Sequence, residues 1–290
     1  MLLGLNPMPN PLSIASRPIP FLRWAGGKSK IVRLLAQLVP AEGEYTRYIE
    51  PFLGSGALFF YLQPSSAILG DVNSHLINCH KQVARRPRDV WRFLQDHIRN
   101  HSREYYYNVR ELDLSEGSPL ERAARFIYLN KSAFNGIFRV NRSGKFNVPF
   151  GPSMSGLAIP SEERLIAVSR ALACAHLLTA SFEQTCQRAS YGDFVYLDPP
   201  YPPLAKSANF THYTPDRFGM QDQQAVADTF RALDHKGCRV MLSNSDQKHI
   251  RALYRGYQIT RLEVTRWLGS NGKRFRVNEI IVTNYNPPIT

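Results

Sequence analysis

The chain alternates short apolar runs with segments of helical spacing, and that alternation leaves few architectures open to it. Seven runs bounded by turn residues have strand character: "RYIEPF" (47–52), "SAILGDV" (66–72), "AHLLTASF" (175–182), "DFVYLDPPY" (193–201), "RVMLSNSD" (239–246), "ITRLEV" (259–264) and "NEIIVTNY" (278–285). Helical spacing marks "KSKIVRLLAQLV" (28–39), "ERLIAVSRALAC" (163–174) and "MQDQQAVADTFRALDH" (220–235) between them. The pattern predicts an α/β fold with a mostly parallel sheet covered on both faces. The closer spacing of the last runs predicts an antiparallel pair at the end.

The alternation stops between about residues 81 and 165, the span expected to form an inserted lobe. Residues 81–150 carry 14 Lys and Arg against 7 Asp and Glu, +7 of the chain's formal net charge of +13. A field of that sign favours polyanions, nucleic acid first and anionic membrane second. Within the lobe, "GIFRV" and "KFNVPF" flank "NRSG", a hairpin pattern in which Gly144 supplies the left-handed turn residue. Cations interleaved with aromatics on a slim hairpin suit a nucleic-acid groove. Residues 1–20 hold repeated prolines and no basic leader, and are expected to be a flexible arm on a cytoplasmic protein; no run approaches a membrane span. The four cysteines form no CxxC pair, so neither zinc nor a disulfide framework is expected. Cys79 and His80, with His75 nearby, are expected to be a buried thiol and a surface imidazole.

The run "FLRWAGGKSK" (21–30) ends like a phosphate-binding loop, but Leu22 stands where such a loop needs its first glycine. The triphosphate reading is therefore rejected. "YIEPFLGSGALFFYL" (48–62) reads as strand, glycine turn and helix, with Gly54 and Gly56 permitting close approach of a ligand. Asp71, ending the next strand, is placed to accept hydrogen bonds from ribose hydroxyls. The pair suggests an adenosine-containing cofactor, and the missing third glycine argues against NAD. In "YLDPPYPP" (196–203) the prolines fix the backbone and remove N–H donors. The Asp198 carboxylate and Pro199 carbonyl could then accept both hydrogens of an exocyclic amine, freeing its lone pair to attack a methyl group. Tyr201 offers a ring for stacking on a base drawn out of the duplex.

These motifs together, in their order along residues 20–286, resemble the Dam-type (D12 class, group alpha) DNA adenine-N6 methyltransferases. The resemblance implies a Rossmann-like class I S-adenosylmethionine-dependent methyltransferase sheet, with an inserted, mainly helical DNA-recognition lobe carrying a β-hairpin. The catalytic domain would comprise residues 21–80 and 166–290, and the recognition domain residues 81–165. Asp198, Pro199 and Tyr201 would be catalytic. Trp24, Lys28, Phe52, Gly54, Gly56, Asp71, Phe182 and Asp198 would build the S-adenosylmethionine pocket, although ordinary core packing is the alternative for Phe52 and Phe182.

The same resemblance implies double-stranded DNA as partner and GATC as target. Arg139 would read a guanine, Asn135 and Ile137 would face bases, and Phe134 would wedge into the gap left by a flipped adenine. Arg23 stands where Dam enzymes have a lysine touching a flanking base, and Arg274 would hold a phosphate. A cognate restriction endonuclease is a possible companion, with no membrane association. N4-cytosine methylation, and a non-catalytic DNA-binding protein on a relic cofactor fold, are the alternatives.

Overall fold

The computed structural model describes residues 18–41, 43–113, 115–141, 143–151, 157–202, 218–268 and 273–288. The expected arm, apart from residues 18–20, lies outside them. All seven predicted strands form: β1 (Tyr48–Glu50), β2 (Ala67–Asp71), β3 (Ala175–Thr179), β4 (Phe194–Leu197), β5 (Arg239–Ser245), β6 (Gln258–Leu268) and β7 (Lys273–Thr283). They make one sheet in the order β3-β2-β1-β4-β5-β7-β6. The first five are parallel, while β7 runs antiparallel to both β5 and β6. β1 stops at Glu50, two residues short of its apolar run, because Pro51 cannot donate to the ladder.

Among the described residues ten helices connect or cover the strands: α1 (Val32–Ala36), α2 (Ala57–Leu62), α3 (Ser74–Arg85), α4 (Pro87–Arg99), α5 (Arg103–Glu111), α6 (Pro119–Ser132), α7 (Glu162–Leu172), α8 (Phe182–Cys186), α9 (Met220–His235) and α10 (Lys248–Leu253). The last two predicted helical segments appear almost unchanged. The first divides into a 3-10 turn over Lys28–Lys30 and the short α1.

The inner strands are apolar throughout because both faces are covered, as a parallel sheet requires. Neighbouring residues on a strand therefore enter different cores. Tyr48, Leu69, Phe194, Tyr196 and Met241 pack with α2, α3, α6 and α7. Ile49, Ile68, Val195, Leu197, Val240 and Leu242 pack with α8, α9 and α10. Among the described residues no helix is long and apolar enough to cross a membrane.

Between β2 and β3 the chain inserts α4, α5, α6 and the hairpin passage. Helix α6 starts at a capping box of Ser118 and Glu121, and its residues from Ala123 to Ser132 are all buried. The hairpin is looser than its sequence suggests: among the described residues its strands meet at the bridges Val140–Phe146 and Ala133–Phe150, with no regular ladder. Pro149 cannot donate, and Asn135 takes a left-handed φ of 56°, so the pairing is interrupted near the base. Gly144 closes the tip at φ 77°, as expected.

The chain direction in the sheet reverses between β1 and β4: β2 and β3 follow on one side, β5 on the other. A crevice opens at the carboxyl ends of strands at such a switch point. One close contact sets its outer wall. A Cβ on Gly70 of β2 would lie 2.3 Å from the Oγ1 of buried Thr185 on α8, the helix that begins at Phe182. Gly70→Ala is therefore expected to destabilise the chain by about 1–3 kcal/mol through overpacking, read as a lower midpoint in urea unfolding.

Candidate active site

Three segments meet at the crevice. The turn after β1 carries Gly54 at φ 49° and Gly56 at φ 69°, both in the left-handed region that glycine adopts without strain. Its close approach is to Trp24: a Cβ on Gly54 would lie 2.7 Å from Trp24 Cδ1. The indole also stacks on Phe138, ring centroids 5.9 Å apart and planes 17° apart. Asp71, at the end of β2, accepts from Gly54 N at 3.0 Å and Asn73 N at 2.9 Å. Burial pushes its carboxyl up to about 6, against the lowering effect of those two N–H donors. Phe52 and Phe182 stack at 5.2 Å beside the turn, so the structure brings together two rings far apart in sequence.

Asp198 follows β4 directly. Lys28 Nζ lies 2.7 Å from its Oδ1 and 2.8 Å from its Oδ2, and donates also to the Gly26 carbonyl at 2.9 Å. The same ammonium sits 4.8 Å from the Tyr201 ring centroid. Ser243 Oγ donates to Asp198 Oδ1 at 2.8 Å. Burial raises the Asp198 carboxyl above its ordinary value, and the Lys28 charge is the largest influence opposing this.

The proline carbonyls after β4 differ in their partners. Pro200 O accepts from Gln223 Nε2 at 2.8 Å and Pro202 O from Gln247 Nε2 at 3.2 Å. Among the described residues no donor reaches Pro199 O. An unclaimed carbonyl, a carboxylate and an aromatic ring thus lie together at the end of β4. That set can accept two hydrogens from one planar amine while covering its ring. Lys28 donates to the carboxylate there and lies over the Tyr201 ring, so an entering amine must share its place.

Sequence reasoning missed the residues that support this loop. Ser243 is buried on β5 and also meets Tyr196 Oη at 2.8 Å. Glu279, buried on β7, accepts from Tyr201 Oη at 2.9 Å. Gln223 is held in turn by Asn244 Nδ2 at 2.9 Å. The available signal was polarity inside apolar strands, "SNS" in β5 and Glu279 within "NEIIV". His80 corrects an expectation: it is fully buried, because α3 presents Leu76, Ile77, Cys79, His80 and Val83 to the core. Its Nε2 donates to the Gly54 carbonyl at 3.3 Å, and burial lowers its pKa to about 4, so it supports the glycine turn as a neutral ring. Cys79 is buried, as expected. Among the described residues no cluster of metal-ligating side chains occurs.

The hairpin residues lie on a separate surface. Phe134 and Asn135 are exposed, and Ile137 is half-buried. Arg139 is exposed, with Nε donating to Asn147 Oδ1 at 2.7 Å. Asn130 on α6 pairs with both backbone groups of Arg23, at 2.8 Å each, and donates to Gly136 O at 3.1 Å. Arg23 therefore adjoins the hairpin, its side chain covering Gly136. Arg274 lies on β7, paired with Trp267; its side chain falls outside the described ones.

Comparison with known proteins gives one family. The profile of the D12 class N6 adenine-specific DNA methyltransferases matches residues 24–268. A Type II methyltransferase of Lactococcus lactis subsp. cremoris is 40% identical over 273 residues, 92% of this chain and 95% of that protein. The DNA adenine methylase of Vibrio cholerae is 34% identical over 269 residues, covering 90% and 94%. That of Escherichia coli is 32% identical over 272 residues, covering 93% and 96%.

Removing one partner of a buried ion pair costs about 3–5 kcal/mol, so Lys28→Met is expected to destabilise strongly near neutral pH. The sign with pH follows from Asp198. Without Lys28 its folded pKa rises further above the unfolded value, and the folded state binds the extra proton. The penalty should then be full at pH 8 and shrink as pH falls toward about 4. Urea unfolding of both proteins across that range checks it.

Proposed function

The chain belongs to the D12 class of N6 adenine-specific DNA methyltransferases, and from that premise we propose that it transfers a methyl group from S-adenosylmethionine to adenine N6 in duplex GATC, with the target base flipped out of the helix. The family assigns the reaction to adenine rather than to cytosine. The observation that carries the proposal is the meeting of Asp198, the unclaimed Pro199 carbonyl and Tyr201 beside the glycine turn at the switch point.

The residues present fit the cofactor. A glycine turn walled by Trp24, a carboxylate ending β2 and a stacked aromatic pair line the carboxyl edge of the sheet. Trp24, Lys28, Phe52, Gly54, Gly56, Asp71, Phe182 and Asp198 would hold it, with Asp71 accepting from the ribose and Phe182 beside the adenine. Bound S-adenosylmethionine supplies an electrophilic methyl on a positively charged sulfur.

The chain's own contribution is to position and polarise the amine. Asp198 and the Pro199 carbonyl accept its two hydrogens and draw the nitrogen toward tetrahedral geometry, while Tyr201 stacks on the base. Asp198 must be ionised to do so, which the Lys28 charge favours against burial. On the DNA side, Arg139 reads a guanine, Asn135 and Ile137 face bases, and Phe134 fills the gap in the stack. Arg23 lies on the hairpin side of the site and touches a flanking base; Arg274 holds a phosphate. Residues 81–165 serve as the recognition domain and residues 21–80 with 166–290 as the catalytic domain. A cytoplasmic location, and a companion restriction endonuclease such as the Type II names of two relatives suggest, complete the proposal.

Methyl transfer from tritiated S-adenosylmethionine to a GATC duplex, and to one with the guanine replaced, tests it. Label is expected on adenine in the first duplex alone, and equal labelling of both would discard the specificity. Asp198→Ala should abolish transfer while cofactor binding, which rests on seven further residues, stays largely intact; retention of more than a few per cent activity would remove Asp198 from the mechanism. Because the Asp71 carboxyl titrates near 6, cofactor affinity should fall as pH is lowered from 8 to 5. Asp71→Asn should flatten that dependence, as measured by calorimetric titration.

A further inference from the structure

Arg139 does not stand alone on its hairpin. Its Nε donates to Asn147 Oδ1 at 2.7 Å and its Nη2 to the Asn147 carbonyl at 3.3 Å. The backbone pairs as well, Asn147 N donating to Arg139 O at 3.1 Å. Both residues face the same side of the hairpin, since their neighbours Phe138, Phe146 and Val148 are buried beneath it. The whole Nε–Nη2 edge of the guanidinium is thereby occupied by one cross-strand residue. The remaining Nη1–Nη2 edge, whose N–H bonds run parallel, faces away from Asn147. A parallel pair of donors is what guanine O6 and N7 require.

We propose that Asn147 is a specificity-determining residue, which acts by locking the Arg139 guanidinium with its bidentate edge outward. An unrestrained arginine carries considerable rotamer freedom, lost only when it meets its base. Here Asn147 removes that freedom before DNA arrives. It also denies the Nε edge to other acceptors, so a replaced base meets a fork already committed to one direction. The inference rests on the reading of Arg139 as the guanine contact.

The experiment measures kcat/KM on two duplexes, one with GATC and one with its guanine replaced, for four variants: Arg139→Ala, Asn147→Ala, the double variant and Asn147→Asp. Asn147→Ala should reduce the ratio between duplexes by roughly tenfold, of the order expected when a bidentate contact loses its geometry. The double variant should show no further loss beyond Arg139→Ala, and cofactor affinity should be unchanged in all four. Asn147→Asp keeps both acceptors, so it should preserve the ratio while slowing both duplexes through repulsion of phosphate.

An equal loss on both duplexes for Asn147→Ala would make Asn147 a general DNA contact and overturn the proposal. A further fall in the ratio in the double variant would overturn it too. A ratio lowered by Arg139→Ala but untouched by Asn147→Ala would refute this inference and keep the reading of Arg139. A ratio unaffected by Arg139→Ala would discard both.

Discussion

Strand β1 has parallel neighbours on both sides, β2 and β4, and much of the rest follows from that placement. A parallel pair needs a crossover, and two crossovers leaving β1 and β4 in opposite directions cannot both cover the gap between the strand ends. The turn after β1 and the prolines after β4 are forced to face each other there. Nearly 150 residues separate the two motifs in sequence, and the hydrogen-bonded ladder between β1 and β4 brings them together. Everything else at the site serves to hold these loops still.

Holding them has an electrostatic cost. Glu50, Asp71 and Asp198 crowd the carboxyl ends of three adjacent strands, and burial raises the carboxyl pKa of each. Each finds different compensation: the Tyr48 hydroxyl for Glu50, the N–H groups of Gly54 and Asn73 for Asp71, Lys28 and Ser243 for Asp198. Only Asp198 among the three receives a full positive charge in hydrogen-bonding contact. It is also the carboxylate that the proposed chemistry needs ionised.

Much of this was legible in the sequence. Apolar runs located the seven described strands, and "LDPPY" and "LGSG" marked the two loops that meet at the candidate site, because proline and glycine restrict or free the backbone locally, whatever surrounds them. The supporting residues were not legible for the opposite reason. Ser243 and Glu279 gain their roles from the β4–β5–β7 adjacency, and Gln223 from where α9 lands on the loop; none of this is a local property. His80 was misjudged because a histidine on a helix looks like a surface residue until the helix face is known. Asn130 reads as an ordinary polar residue, and only the fold sets it against the backbone of Arg23. The hairpin's tip was foreseen from Gly144, but its weak pairing near the base depends on Pro149 and the left-handed Asn135 together.

Trp24 has a consequence larger than its own packing. Its indole closes on Gly54 in the glycine turn, Cδ1 nearest, and the ring stacks on Phe138, the residue between Ile137 and Arg139. The glycine turn and the hairpin thus share a single rigid side chain as a common wall. A substitution at Trp24 itself would therefore loosen the glycine turn and the hairpin together, whereas one on the exposed face of the hairpin leaves that shared wall in place.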